Sequence, residues 1–211
     1  TTHDRAILTA PEAMAKFSIQ QVRLDLLARA RHLHLSSYFL QSALQPHVPQ
    51  LLAQARALGL STSVDPGFDP AERWQIPGLL QELDFFFPNE VEACAITGET
   101  DVRAALEVLA GQTPTVAIKC GAQGTLAAHR NERIHIPAFT VEAVDTTGAG
   151  DAFDAGFLAA ALAGEDLTTC VRSGNACGAL TAAHRGGSGG FTRATVDALL
   201  KHQEKGAQYS S

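Results

Sequence analysis

Residues 145–157 read DTTGAGDAFDAGF: a short polar turn, three small residues, an aspartate and then an almost wholly apolar helix. Gly148 and Gly150 carry no side chain, so successive backbone N–H groups can converge on a negatively charged oxygen. A helix that begins at about Gly150 adds the positive end of its dipole. The stretch therefore predicts an anion site that fits a phosphoryl group.

Asp151 falls in the first turn of this helix, beside the predicted anion site. There its carboxylate can accept a proton from an attacking hydroxyl while backbone amides hold the developing negative charge. The pairing indicates phosphoryl transfer. The plainer alternative is a turn whose acidic residue caps a helix, which is the commonest meaning of such a string.

The composition is that of one globular domain. With 211 residues, 45% hydrophobic and 18% charged, the chain can bury a substantial core. The net charge of −6, and the lack of a Lys/Arg run with interleaved aromatics, argue against nucleic acid as a partner. The longest apolar run, residues 155–164, is ten residues, short of the roughly 18 that a membrane span needs. No signal peptide is visible at the start, so we expect no membrane partner.

The cysteines show no CxxC pair and no zinc-like spacing with histidine. They are Cys94, Cys120, Cys170 and Cys177. Buried free thiols are therefore expected rather than metal ligands, which fits a reducing cytoplasm.

Strands and helices are predicted to alternate along the first half of the chain. The predicted strands are residues 6–9, 32–36, 61–65 and 84–87, and the predicted helices are 18–31, 48–58, one from Asn89, and 102–110. This rhythm indicates helices on both faces of a mostly parallel sheet.

The second half begins with a hairpin and ends in helices. Three hairpin strands are predicted at residues 115–119, 124–129 and 133–136, and helices at 152–163, 167–184 and 195–201. A glycine loop at 186–190 separates the last two helices. We assign residues 1–202 to one catalytic domain and residues 203–211 to a polar tail.

A metal site is predicted directly after the apolar strand at residues 84–87. Asn89 and Glu92 are three apart, so they share one face of a helix that opens at the carboxyl end of a strand. Their side-chain oxygens are the ligand atoms that a divalent metal bound to phosphates requires. The alternative is an ordinary N-cap with first-turn acids.

Residues 145–157 closely resemble the C-terminal signature of the ribokinase-like (PfkB) carbohydrate kinases. The resemblance implies that Asp151 is the catalytic base and that Gly148, Ala149 and Gly150 form the anion hole. It also implies a three-layer α/β/α fold with a mostly parallel sheet. Asp154 departs from the pattern, since many members have asparagine there; we expect this change to leave the chemistry intact.

The resemblance extends to the nucleotide and the metals. Asn89 and Glu92 match an NxxE motif that organises Mg²⁺ and its waters near the phosphates. The residues implied to lie along the ATP are Lys119, Gly121 and Gly124 of a KxGxxG turn, Thr147 of the signature, and Asn175 and Gly178 of a helix that walls the adenine pocket. The small residues around Asn175 could equally be a close helix-packing stripe.

Three further features remain. The first rests on the resemblance alone, and each of the other two has two interpretations. Asp145, with carbonyls near Thr147 and Gly186, falls where ribokinase-like enzymes often bind a monovalent cation such as K⁺. Asp65 resembles the family's DP segment, or belongs to a solvated turn. His32 and His34 are alternate positions of one strand face rather than metal ligands.

The resemblance covers essentially the whole chain but begins partway through the family pattern. The missing N-terminal third normally supplies the first strands, a lid, a sugar-gripping aspartate and a GGxxxN segment. A fragment of a full kinase, favoured by the start at Thr1, competes with a natural short nucleotide-binding protein. An uncovered sheet edge would favour aggregation or a homodimer.

The function implied is ATP-dependent phosphoryl transfer to a hydroxyl of a sugar. The alternatives are a nucleoside kinase of the same family, or a nucleotide-binding fragment without turnover.

Overall fold

The computed structural model describes residues 12–187 and 191–208. The described residues form one sheet with the strand order β1-β2-β3-β4-β5-β6. The strands are β1 (His32–Leu35), β2 (Ser61–Val64), β3 (Phe85–Phe86), β4 (Thr115–Lys119), β5 (Thr125–His129) and β6 (Glu132–Ile136). Neighbours from β1 to β4 run parallel, while β5 and β6 extend the same sheet as an antiparallel hairpin. The predicted strand at residues 6–9 lies outside the described residues.

Helices fill both sides of this sheet. They are α1 (Glu12–Lys16), α2 (Leu24–Leu27), α3 (Val48–Ala57), α4 (Glu90–Thr97), α5 (Val102–Ala110), α6 (Ala149–Ala161), α7 (Leu167–Ala182) and α8 (Arg193–Gln208). The predicted bounds of α5 are confirmed, and those of α3, α6 and α7 are confirmed to within three residues.

Alternation along the strands divides the core into two clusters. Phe86 packs into the cluster that includes residues of α3, α4 and α5, whereas Phe87 packs with residues of α6 and α7. On β4, Val116 and Ile118 face the first cluster and Ala117 faces the second. Successive strand side chains point to opposite faces, so the sheet is covered on both sides. The predicted three-layer α/β/α architecture is confirmed.

The predicted helix at residues 18–31 is wrong. The structure has a 3₁₀ turn at Ile19–Gln21, an extended Val22 and only one turn of α2. Ile19 and Val22 both pack against the first core cluster, and only Leu27 of α2 is buried. Tertiary packing outweighs helix propensity here because a helix with little buried surface gains little from forming. The last helix is also longer than predicted, since α8 continues to Gln208.

The sheet brings the predicted site residues to one edge. Because β1 to β4 are parallel, the segments that follow them meet at their carboxyl ends, where α/β folds bind ligands. The glycine and polar residues at this edge follow the ends of β1, β2 and β4 or lie at the start of α6. Within the described residues, no helix is long and apolar enough to span a membrane.

Candidate active site

The turn before α6 has a geometry that only glycine satisfies. Gly148 is the N-cap residue, with φ 73° and ψ 0° in the left-handed region. A Cβ there would collide with the carbonyl oxygen of Gly187. Asp145 ties the two loops together, because its carboxylate accepts from Thr147 N at 2.9 Å and from Gly186 N at 3.1 Å. Asp145, Thr147 and Gly186 therefore lie together in the structure, and a monovalent cation bound there stays a prediction.

The start of α6 leaves backbone donors directed at the edge of the sheet. The first amides of an α-helix have no partner one turn back, so those at Gly150 and Asp151 are available to an anion. A Cβ added at Gly150 would meet only Lys119 Nζ, at 3.6 Å. The turn is thus open beside Gly150, and its backbone donors and the nearby ammonium suit a negatively charged group.

Asp151 lies exposed in the first turn of α6. The hydroxyl of Ser36, just beyond the end of β1, donates to Asp151 Oδ1 at 3.2 Å. An exposed carboxylate beside helix-start amides can reach a bound hydroxyl, as a general base must. Ser36 was not predicted, and its only sequence signal is a hydroxyl at the end of a strand.

A buried cluster of charges lies beneath this turn. Lys119, at the end of β4, places Nζ 2.7 Å from Asp65 Oδ2 and 3.2 Å from Asp154 Oδ1. Burial opposes the charged ammonium, but Asp154 and Asp65 together raise the pKa of Lys119 above its usual value. Asp65 is itself buried, so its interpretation as a solvated turn is wrong.

The buried cluster also determines the charge environment of Asp154 and Lys119. Asp154 is 1% exposed, and burial raises its pKa well above the usual range despite the nearby ammonium. The pKa of Asp65 is lowered because Lys119 outweighs the cost of burial. The ammonium of Lys119 faces two carboxylates, so its contact with a nucleotide stays a prediction.

Asn89 and Glu92 form a reciprocal capping box at the start of α4. Asn89 N donates to Glu92 Oε2 and Glu92 N donates to Asn89 Oδ1, both at 2.9 Å. The structure therefore contains the helix cap that was the alternative to a metal site. The cap uses Glu92 Oε2 alone, so Oε1 could bind Mg²⁺ or accept hydrogen bonds from its waters. Burial raises the pKa of Glu92 to about 7.

The family model for pfkB family carbohydrate kinases matches residues 1–193. The chain belongs to this family. It is 31% identical over 82% of its length to an uncharacterized sugar kinase from Archaeoglobus fulgidus, of which it covers 69%. It is 32% identical over 84% of its length to an ATP-dependent ribose-1-phosphate kinase from Halopiger xanaduensis, of which it covers 57%.

Solved structures agree with the sequence relatives. An Arabidopsis thaliana ribokinase complexed with ribose and ATP superposes with a TM-score of 0.74 at 26% identity. The match covers 84% of this chain and 58% of the ribokinase. The chain thus spans between half and 70% of the length of these PfkB relatives.

The glycines of the KxGxxG turn have different structural roles in this PfkB chain. Gly124 has φ 93°, and a Cβ there would collide with backbone atoms of residues 136–138. Gly121 has φ 53° and open space where its Cβ would lie. Gly124 therefore allows a close backbone crossing, whereas Gly121 lies in an accessible turn. Nucleotide contact by either stays a prediction.

Asn175 is bonded inside the protein. Its Oδ1 accepts from the Thr125 hydroxyl at 2.6 Å, and its Nδ2 donates to the carbonyls of Ile136 and Pro137 at 3.1 and 3.2 Å. These bonds tie α7 to the β5–β6 hairpin. Gly178 serves packing too, because a Cβ there would lie 3.1 Å from the carbonyl of Ala149. The Gly178 contact supports the helix-packing interpretation, whereas the Asn175 bonds hold α7 to the hairpin; the adenine wall stays a prediction.

Proposed function

We propose that this chain carries the ATP-binding and phosphoryl-transfer part of a sugar kinase, within residues 1–202. Residues 203–211 would then be a tail outside the catalytic unit. The observation that carries the proposal is the exposed Asp151 beside the glycine turn at the start of α6, held by the Ser36 hydroxyl. The acceptor is a hydroxyl of a sugar, and a nucleoside hydroxyl is the alternative.

Different residues of this chain have different roles in the proposed reaction. Asp151 takes the proton from the acceptor hydroxyl as its oxygen forms a bond to the γ-phosphorus of ATP and the bond to the ADP oxygen breaks. The amides of Gly148, Gly150 and Asp151 hold the negative charge on the transferring phosphoryl group, since Ala149 N donates to the Thr146 carbonyl at 3.2 Å. Asn89 and Glu92 would hold Mg²⁺, directly or through water, and the ion supplies charge neutralisation between the phosphates.

The same proposal includes a monovalent cation, a cellular location and an oligomeric state. Asp145 and the carbonyls near Thr147 and Gly186 would hold a monovalent cation such as K⁺ beside the anion hole. All four cysteines are free, and three of them are buried, which supports a location in the reducing cytoplasm. A homodimer is also proposed, since strand edges pair readily with another chain; among the described residues, β1 and β6 are the edge strands of the sheet.

The test is Asp151→Asn in the longest product of the gene that contains this chain. Loss of the general base should lower kcat for sugar phosphorylation by at least about 10²-fold and leave the affinity for ADP nearly unchanged. Asp101→Asn is the matched control, because asparagine serves equally well as the N-cap of α5. A kcat close to that of the unsubstituted enzyme would remove Asp151 from the mechanism.

A further inference from the structure

Asp154 is a buried carboxyl group with half of its bonding capacity unmet. Its Oδ1 lies 3.2 Å from Lys119 Nζ, but its Oδ2 has no hydrogen-bond partner among the described residues. His34 Nε2 lies 3.9 Å from Oδ2, and the carboxyl group of Asp65 also interacts with that of Asp154. For an ordinary hydrogen bond, Oδ2 and His34 Nε2 would have to move roughly 1 Å closer together.

His34 belongs to a ladder of neutral polar groups across the face of β1 and β2. Ser61 Oγ and Ser63 Oγ lie 2.7 Å from the two ring nitrogens of His32, and Ser63 Oγ lies 2.7 Å from His34 Nδ1. Burial lowers the pKa of both histidines, that of His32 to about 4. Neither imidazole therefore supplies a positive charge to Asp154 at neutral pH, but the neutral His34 Nε2 can accept a hydrogen bond.

The charges around Asp154 do not balance if it is ionised. Lys119 already pairs more closely with Asp65, at 2.7 Å, and Glu92 and Asp151 add further negative charge nearby. An ionised Asp154 would leave the Lys119 cluster with one net negative charge. That charge would lie directly beneath the anion hole, since Lys119 Nζ is 3.6 Å from the Cβ position of Gly150.

We propose that Asp154 is a positioning residue that works as an uncharged carboxylic acid. Its Oδ1 accepts a hydrogen bond from Lys119, and its protonated Oδ2 donates a hydrogen bond to His34 Nε2. The Lys119–Asp65 pair then stays neutral overall, and phosphate can approach the start of α6 without repulsion. Asp154 in this state is uncharged and has nearly the shape of an asparagine side chain. The direction of its pKa, raised by burial, agrees with this geometry.

The first experiment measures unfolding as a function of pH for the unsubstituted chain and for Asp154→Asn. A proton held only in the folded state makes stability fall as pH rises, by up to roughly tenfold per pH unit in the unfolding equilibrium constant. We expect this fall between pH 5 and 7 in the unsubstituted chain, in excess of that in Asp154→Asn. Glu92 contributes equally to both chains, and Asp101→Asn is the matched control. Parallel curves for the unsubstituted chain and Asp154→Asn would overturn the proposal.

The second experiment measures ADP affinity at pH 7 and rests on the proposed function. An uncharged Asp154 predicts that Asp154→Asn binds ADP within about twofold of the unsubstituted chain. Binding at least tenfold tighter by the variant would show that Asp154 is charged and repels phosphate, which overturns the proposal. Absence of ADP binding in both chains would count against the proposed function, whereas the unfolding experiment decides on Asp154 independently.

A third measurement covers the case in which Asp154→Asn does not fold. The infrared spectrum of the Glu92→Gln chain at pH 8 should contain the carbonyl band of a protonated carboxylic acid, because Glu92 can no longer contribute to it. Absence of that band would overturn the proposal.

Discussion

Glu92 carries a carboxyl group whose folded environment disfavours its charge. It is 7% exposed, and burial raises its pKa from an ordinary 4.5 to about 7, although the Asn89 amide donates to it. Between these two values the folded chain holds a proton that the unfolded chain has released. Stability is therefore present at low pH and is lost as pH rises from about 4.5 to about 7, by up to about 1.4 kcal/mol per pH unit.

The Glu92→Gln variant tests whether Glu92 makes the folded chain less stable as the pH rises. Glutamine also completes a capping box, so the helix cap is retained while the titration is removed. We expect Glu92→Gln to be more stable than the unsubstituted chain at pH 8 and to show a shallower loss of stability between pH 5 and 7. Glu90→Gln, an exposed position in the same first turn, is the control. Equal pH slopes for Glu92→Gln and the unsubstituted chain, measured by denaturant unfolding, would contradict the raised pKa.

Residue contacts in the site mostly join distant parts of the chain. Ser36 and Asp151 are 115 positions apart, Asp65 and Lys119 are 54 apart, and Lys119 and Asp154 are 35 apart. Each pair meets because parallel strands bring their carboxyl ends to one edge. The chemistry of the site is thus assembled by the sheet rather than by neighbouring residues.

At the scale of elements, the start of α6 depends on one backbone conformation. Gly148 has φ 73° and has the carbonyl of Gly187 where a Cβ would lie. An alanine there must move the 186–187 loop, which is bonded to Asp145, away from the anion hole. Gly164, just after α6, has a similar φ of 86° but no atom within 4 Å of its Cβ position.

The pair Gly148→Ala and Gly164→Ala separates backbone strain from crowding. Gly164→Ala should cost only the left-handed strain of about 1–2 kcal/mol. Gly148→Ala should cost about 1–3 kcal/mol more from overpacking and should also weaken ADP binding by at least about tenfold. Thermal unfolding and calorimetry with ADP measure both effects. Equal losses of stability and of ADP affinity in the two variants would show that the Gly187 contact has no role in the anion hole.

At the scale of the whole molecule, the chain spans only part of the PfkB relatives that it matches. Its predicted nucleotide contacts come from residues 119–124, the turn before α6, and α7, all within the described structure. An acceptor that is not positioned forfeits much of the roughly 7–11 kcal/mol that orientation can contribute to a rate.

We therefore expect the 211-residue chain by itself to bind ADP weakly and to phosphorylate no sugar at a useful rate. Calorimetry with ADP and a coupled assay against pentoses, hexoses and nucleosides measure the two parts. Robust turnover would show that the acceptor site lies within these 211 residues. No ADP binding under any condition would instead show that the nucleotide site needs residues outside them.

The features that could be predicted from the sequence are those built by consecutive residues. The glycine turn and Asp151 lie within four positions, so the local sequence predicts an anion hole beside a carboxylate. The strands of the β4–β6 hairpin and helix α5 follow from hydrophobic periodicity, which acts over a few residues. The family signature is itself such a local pattern, and the resemblance that it carries implied the three layers and the phosphoryl transfer that we propose.

Only the tertiary structure decided which partners those residues have. The region of residues 18–31 forms short turns because Ile19 and Val22 pack onto the core. Lys119 faces Asp65 and Asp154, Asn175 faces the hairpin, and Glu92 caps α4. The physical reason is burial: in an interior of low dielectric, a charge or an amide must find a partner, and the fold determines which group is within reach.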